Sequence, residues 1–438
     1  MTMPFGRPWL SFYGDDLTGA TDALEALGSS GIDTVLFVRV PAPHEQARFQ
    51  GAQAVGLAGT SRSRPPAWMD EHLPPAFAWL RDQDAPLCHY KVCSTFDSAP
   101  EIGSIGRAAD IGAAVFTSSV VPMVVGVPQL RRYTFFGHLF ADYRGQVHRL
   151  DRHPVMSRHP VTPMDEADLR RHLARQTSRS IGLIDLPSLA RADVDNVVDR
   201  LAADHEILLI DVADEASQLE AGRQLVRLQA AGGRFVIGSS GVEYALIRTW
   251  RRESLVGGPV AFPAPERIDR LAVVSGSVSP TTARQIEWAC ANGFELAAIE
   301  PGQLLADNGI ETALTQALDV LGKGLSVIVA TAQGQASTKP IPDEARHEIG
   351  RRLGIILHEL VRRASLPRAV VAGGDTSSHA LRELDVLALK LCLPLPKTPG
   401  SPLCRSFRSD GSQGPELAFK GGQIGADDYF VAIRDGVG

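Results

Sequence analysis

Short apolar runs, small polar turns and helical spacing follow one another repeatedly along the chain. Four stretches carry the pattern in full: Trp9–Leu27 (WLSFYGDDLTGATDALEAL), Arg234–Leu246 (RFVIGSSGVEYAL), Leu271–Trp288 (LAVVSGSVSPTTARQIEW) and Arg368–Leu384 (RAVVAGGDTSSHALREL). A fifth, Leu325–Ala336 (LSVIVATAQGQA), has the strand and the turn with a less regular helix behind it. The runs are apolar throughout instead of alternating, which is the mark of strands covered on both faces. Strand, Gly-rich turn and helix in that order predict βα units of a parallel sheet, so the fold class is α/β. Ligands of such sheets bind beyond the carboxyl ends of the strands, which makes these turns candidate walls of a site.

A break in the pattern falls at Arg251–Arg270 (RRESLVGGPVAFPAPERIDR), where Gly257-Gly258 and three prolines separate a helical stretch from a fresh strand. The expected division is a domain over 1–255, a linker over 256–270 and a domain over 271–438. Each would be a largely parallel sheet flanked by helices, with the active site in the cleft between them. With 438 residues, of which 44% are apolar and 21% charged, the chain has an ordinary soluble composition. Lys and Arg number 44 against 50 Asp and Glu, a net charge of −6, which gives no electrostatic case for nucleic acid or an anionic membrane. No apolar run approaches the roughly 18 residues of a membrane helix. Asp15 and Asp16 interrupt the first apolar stretch too early for a signal peptide, so a cytoplasmic location is expected. Five cysteines form an odd set with no disulfide framework, and Cys88, His89 and Cys93 match no compact zinc spacing.

Candidate chemistry sits in the turns. In Gly14–Ala20 (GDDLTGA), Asp15 and Asp16 are adjacent carboxylates at the end of a strand, costly to hold together unless used. One could orient or deprotonate a hydroxyl; the other could hold a sugar hydroxyl or a magnesium-bound water, and helix capping is the plainer use. Gly373-Gly374-Asp375-Thr376 opens a helix expected over His379–Leu384 and offers amides to an anion. Ser275–Pro280 (SGSVSP) and Lys420–Gly425 (KGGQIG) have the same small, amide-rich character, the second with a cation beside it. No Walker A loop occurs, yet three such turns in one half of the chain favour nucleotide phosphates. In the other half, Lys91 with the hydroxyls of Ser94 and Thr95 suits a carboxylate-bearing polyol. His153 and His159 lie in an arginine-rich loop before a helix expected over Asp165–Arg175, suited either to packing or to an anion.

Taken together, these motifs resemble the four-carbon acid sugar kinase family over most of the chain. Asp15–Ala20 resembles its D-D-L-T-G-A opening, Gly238–Gly241 its G-S-A-G turn and His159–Met164 its H-P-x-x-P-M segment. Ser275–Ser279, Gly373–Ser377 and Lys420–Gly425 are similar to its S-G-S, G-G-[DE]-T-S and K-[SG]-G-N-x-G elements, with Gln423 where Asn is usual. The resemblance implies an amino-terminal domain for an acid sugar and a carboxy-terminal domain for ATP with Mg²⁺. It implies that Ser277, Gly373, Gly374, Asp375, Thr376 and Gly422 contact the nucleotide, while Asp15, Asp16, Lys91, Ser94, Thr95 and His159 face the substrate. Asp16, or else Asp15, would be the general base, and metal ligands stay unassigned. Threonate and erythronate kinases of this family carry K-x-D-S-T-L-R-G where this chain has Lys91–Ser98 (KVCSTFDS). That departure points toward a branched acid such as 3-oxo-isoapionate. A homodimer is the expected assembly. The rival readings are a nicotinamide-dependent dehydrogenase, disfavoured because no G-x-G-x-x-G follows a strand, and a non-catalytic sensor of nucleotide and sugar acid.

Overall fold

A computed structural model of the chain describes residues 6–159, 161–277, 279–331 and 343–437. In chain order the strands are β1 (Leu10–Gly14), β2 (Thr34–Phe37), β3 (Ala54–Ala58), β4 (Leu87–Lys91), β5 (Val121–Val124), β6 (Arg132–Phe135), β7 (His138–Tyr143), β8 (Gln146–Arg149) and β9 (Ile181–Ile184). They continue as β10 (Ile207–Ile210), β11 (Phe235–Gly238), β12 (Ala272–Ser275), β13 (Phe294–Ala298), β14 (Ser326–Ala330), β15 (Arg368–Ala372), β16 (Ala388–Leu393), β17 (Leu403–Phe407) and β18 (Gln413–Lys420).

The chain forms two compact units. The first comprises residues 1–15, 26–34 and 51–260, the second 16–25, 35–50 and 261–438. The first unit carries parallel strands in the order β3-β1-β4-β11-β5-β10-β9. Its central strands are buried end to end, including the polar Ser11, His89 and Lys91 among their apolar residues. A separate antiparallel sheet, β6-β7-β8, is inserted between β5 and β9. It displaces part of an expected helix. The carbonyls of Ala167 and Gly137 accept from the amides of Leu139 (2.9 Å) and Leu169 (2.9 Å), so the helix expected over Asp165–Arg175 shrinks to Leu169–Leu173.

In the second unit β13-β14-β12-β15-β18 run parallel and β17, β16 and β2 continue the order antiparallel. An apolar core of Val273, Ile328, Val370, Ala418 and Phe430 fills one side of this sheet. The expected helix start at Pro280 holds, with Ser279 as its cap. The helix expected from His379 starts five residues earlier, at Gly374. Gly373, at φ +119°, takes a conformation open to glycine and turns the chain directly into the helix. The fifth pattern gives β14, while its residues beyond Thr331 lie outside the described ones.

The helix Leu17–Gly28 ties the early part of the chain into this unit. Buried Glu25 accepts from Leu395 N (2.8 Å) and Gly400 N (2.5 Å), and Thr21 Oγ1 donates to Gly400 O (3.1 Å). Burial pushes the Glu25 carboxyl up to about 8, against the pull of those two amides. A pKa raised by folding contributes stability that is complete below the unfolded value near 4.5 and is lost as pH rises through about 8. The stability advantage of wild type over Glu25→Gln should therefore be largest near pH 5 and shrink by several degrees of Tm by pH 8.5. Thermal unfolding of both proteins across that range checks it, and a pH-independent difference would refute it.

Candidate functional site

Parallel pairing brings the turns of the first unit to one level. Gly14, the last residue of β1, is in register with Ala58 of β3 and Lys91 of β4, and Lys91 with Gly238 of β11. The turns that follow therefore leave the sheet side by side. Asp15 N donates to Lys91 O (2.9 Å), Gly59 N to Gly14 O (2.8 Å) and Val92 N to Gly238 O (2.7 Å).

On this platform Asp15 is buried and held in a two-pronged ion pair by Arg62, with Nη2 to Oδ1 at 2.8 Å and Nε to Oδ2 at 3.1 Å. Arg62 was not among the expected site residues, although the small, polar Gly59–Ser63 turn behind the apolar run Ala54–Ala58 carried the signal. Lys91 is buried as well and donates to Val92 O (2.9 Å). Cys93 Sγ lies 3.0 Å from Thr95 Oγ1, and that hydroxyl donates to Asp97 Oδ1 (2.5 Å). Burial alone would push Asp97 up, but the charge of Arg62 and the Thr95 hydrogen bond outweigh it and hold the carboxyl below its ordinary value. Burial and the neighbouring Asp97 charge push the Cys93 thiol up, so it remains protonated. Ser94 is half-buried in the same turn. The turn closes on Phe96, a fully buried aromatic at φ +55°, a strained conformation for a bulky side chain.

His159 and His153 have different uses. The half-buried His159 accepts from Thr162 N (3.1 Å) at Nδ1, which leaves its proton on Nε2. His153 is buried and accepts from Val155 N and Met156 N, so it organises its own loop; burial lowers its pKa. His89 is buried against Glu243 (2.6 Å) and donates to Gly238 O (3.1 Å), fastening β4 to the helix Gly241–Arg252. Among the described residues no cluster of three or more metal-ligating side chains occurs.

Asp16 falls in the second unit. Its Oδ1 accepts from Gly19 N (2.5 Å) and its Oδ2 from Thr18 Oγ1 (2.9 Å), so it caps the helix Leu17–Gly28.

The second unit repeats the levelling with backbone instead of charge. Ser275 of β12, Ala372 of β15 and Lys420 of β18 are in register, and a turn leaves each. These turns touch. A Cβ on Gly276 would stand 2.4 Å from Thr376 Oγ1, and one on Gly422 would stand 2.9 Å from Ser277 Oγ. Gly373 N donates to Lys420 O (2.7 Å). Ser277, Gly373, Thr376 and Gly422 are thus brought together, at the amino-terminal ends of the helices Pro280–Cys290 and Gly374–Glu383. First-turn amides there have no partner within the helix and favour an anion. The space a side chain on Gly374 would enter is open. Asp375 lies on the second helix, and its side chain is outside the described residues. A cavity of about 890 Å³ elsewhere in this unit is lined by Arg368, the first residue of β15, and its register partner Glu416 on β18, and holds none of the expected residues.

One α/β unit presenting charged and hydroxyl groups, and another presenting convergent amide turns, define a two-part phosphoryl-transfer protein. Residues 10–246 match the family described as Sugar-binding N-terminal domain and residues 272–430 that described as Nucleotide-binding C-terminal domain. The chain is 46% identical to the 3-oxo-isoapionate kinase of Paraburkholderia graminis, covering 98% of this chain and 94% of that one. It is 34% identical to a 3-oxo-tetronate kinase of Burkholderia multivorans, covering 98% and 97%. In fold it is similar to a Salmonella typhimurium LT2 protein described as a tRNA synthase (TM-score 0.77, 24% identity, 96% and 98% covered). It is similar also to a Haemophilus influenzae protein (TM-score 0.69, 22% identity, 97% and 99% covered). The chain belongs to the four-carbon acid sugar kinase family and is an enzyme of the kinase class. Among the described residues no helix is long and apolar enough to cross a membrane.

The Arg62–Asp15 pair gives a first test. Arg62→Met should remove the two-pronged ion pair from the buried Asp15 and cost on the order of 2 kcal/mol in urea unfolding at pH 7, a discounted figure because Arg62 is only partly buried. The loss should shrink at low pH, where Asp15 is neutral; an unchanged midpoint at pH 7 would show the pair to be dispensable.

Proposed function

We propose that the protein transfers the γ-phosphoryl group of ATP to a hydroxyl of a small sugar acid, with 3-oxo-isoapionate as the preferred acceptor. The convergence of Gly276, Gly373, Thr376 and Gly422 carries the nucleotide half of this reading. The acceptor rests on the 46% identity to the 3-oxo-isoapionate kinase, against 34% for the 3-oxo-tetronate kinase. The altered Lys91–Ser98 segment agrees, since it has Cys93 and Asp97 in place of an acid and an arginine.

In this reading the acid's carboxylate meets the cations of the first unit, Lys91 and Arg62, and its hydroxyls meet Ser94, Thr95 and the Nε2–H of His159. Asp15, already paired with Arg62, is a poor proton acceptor and serves to fix that guanidinium. Asp16 accepts the proton of the attacking hydroxyl. Capping by Gly19 N and Thr18 Oγ1 fixes the orientation of this carboxylate. The hydroxyl oxygen forms the new bond to phosphorus as the bond to the ADP oxygen breaks, and the amides of the Gly373–Thr376 and Gly421-Gly422 turns hold the phosphates. Such transfer asks for positioning and charge stabilisation more than covalent chemistry. Mg²⁺ would arrive on the nucleotide and neutralise phosphate charge, its usual mode with few protein ligands.

ADP release from Mg-ATP should be strongest with 3-oxo-isoapionate in a panel that includes 3-oxo-tetronate and both enantiomers of threonate and erythronate. Silence across the panel, with ADP binding intact by calorimetry, rejects the substrate class and spares the nucleotide site. Asp16→Asn should lower kcat by at least about 100-fold while ADP affinity holds; near-normal turnover removes Asp16 as base. Gly374→Val should fill the open space and weaken ADP binding at least tenfold, and unchanged affinity would move the nucleotide elsewhere.

A further inference from the structure

Lys420 was expected as a cation beside a flexible turn. It is instead fully buried at the end of β18, beneath the turn it precedes. Its ammonium donates to Gly421 O (2.7 Å), Thr282 Oγ1 (3.2 Å) and Ile424 O (3.2 Å), with Gly422 O at 3.5 Å. Every one of these acceptors is neutral, and no carboxylate is among its described partners.

Other side chains pull in the same direction. Ser279 Oγ donates to Gly422 O, as does Thr282 Oγ1 at 3.1 Å. Gln285 Nε2 donates to Ile424 O (3.2 Å) and Ala426 O (2.9 Å). The carbonyls of Gly421, Gly422, Ile424 and Ala426 are therefore all drawn inward. In a trans peptide the carbonyl and the following N–H point in opposite directions. Drawing in the oxygens of Gly421 and Gly422 turns the amides of Gly422 and Gln423 outward, and among the described residues neither meets an acceptor. Those amides lie on the turn that meets Ser277.

We infer that Lys420 is a positioning residue of the nucleotide site: without touching the ligand, it holds the turn carbonyls inward so that the outward amides, backed by its charge, receive a phosphate. The inference rests on the nucleotide reading of this unit and adds a residue to it. A buried ammonium served only by neutral acceptors is costly, and burial pulls its pKa down to about 7. A bound phosphate restores the charged form. Lys420 therefore strengthens anion binding below about pH 7, and this contribution fades as the pH rises past it. The described groups facing Nζ, namely Thr282, Gly421, Gly422 and Ile424, do not titrate in that range.

The experiment is calorimetry with ADP from pH 6 to 8.5 on wild type, Lys420→Met and Thr282→Val, the last removing the hydroxyl that bridges Lys420 to Gly422 O. The ligand's own titration is common to all three proteins. At pH 6 Lys420→Met should bind ADP at least tenfold more weakly than wild type, and the gap should narrow by pH 8.5. Thr282→Val should lose affinity by a smaller factor. In turnover, KM for ATP should rise in both variants with KM for the acid sugar unchanged. Wild-type affinity in Lys420→Met, or a gap that ignores pH, overturns the assignment even if Tm falls. Where Lys420→Met does not fold, unaltered ADP affinity in Thr282→Val overturns it. A wild type that binds no ADP refutes the nucleotide reading itself, which keeps the two failures distinct.

Discussion

Parallel pairing in register is the constraint on which the rest depends. Slanted, evenly spaced hydrogen bonds tie Ser275 to Ala372 and Ala372 to Lys420, and in the other unit tie Gly14 to Lys91 and Lys91 to Gly238. Each set of strands therefore stops at one height, and turns from distant parts of the chain emerge together. A one-residue slip in any pair would send each side chain of the strand to the opposite face and lift its turn out of the group. The chemistry of both units is thus a consequence of sheet geometry before it is a matter of side chains.

The two units use that geometry with different materials. The first spends buried side-chain charge and satisfies it locally: Arg62 with Asp15, His89 with Glu243, Asp97 with Thr95. Fixed charges at fixed distances suit a ligand with one carboxylate and a few hydroxyls in a defined arrangement. The second unit presents peptide dipoles and helix ends, with the buried Lys420 ammonium turned to the rear of the turn. Dipoles from several directions suit a flexible polyanion, and they hold it with less sensitivity to its exact placement. Cys93 belongs to the first style by position alone, since its thiol stays protonated beside Asp97.

How far the sequence could be read follows from the range of the interactions involved. Strands β1, β11, β12, β14 and β15 were legible because an unbroken apolar run before a Gly-rich turn is a local signal, and Ser279-Pro280 marks its helix start just as locally. The early start of the helix at Gly374 was missed because Gly-Asp-Thr-Ser-Ser has weak intrinsic helicity and is carried by the turn at Gly373. The short helix Leu169–Leu173 lost its first turn to β7, a partner some thirty residues away that no helical periodicity reveals. Arg62 and the burial of Lys420 escaped for the same reason. A lone cation beside a strand is usually solvated, and only the register shows that Asp15 stands next to one and Thr282 beneath the other.

The helix Leu17–Gly28 has its own implication for how the chain can be divided. The recognisable boundary near residues 256–270 is a boundary of sequence, whereas residues 16–25 and 35–50 belong physically with what lies beyond it. A fragment starting at residue 261 would lack the strand β2 that pairs with β16 and the Glu25 carboxyl group that receives Leu395 N and Gly400 N. Two amides and a sheet edge would be bared at once. Recombination at the linker between distant relatives would therefore graft a carboxy-terminal half onto a foreign first helix, and viable chimaeras should carry their early crossover segments with them.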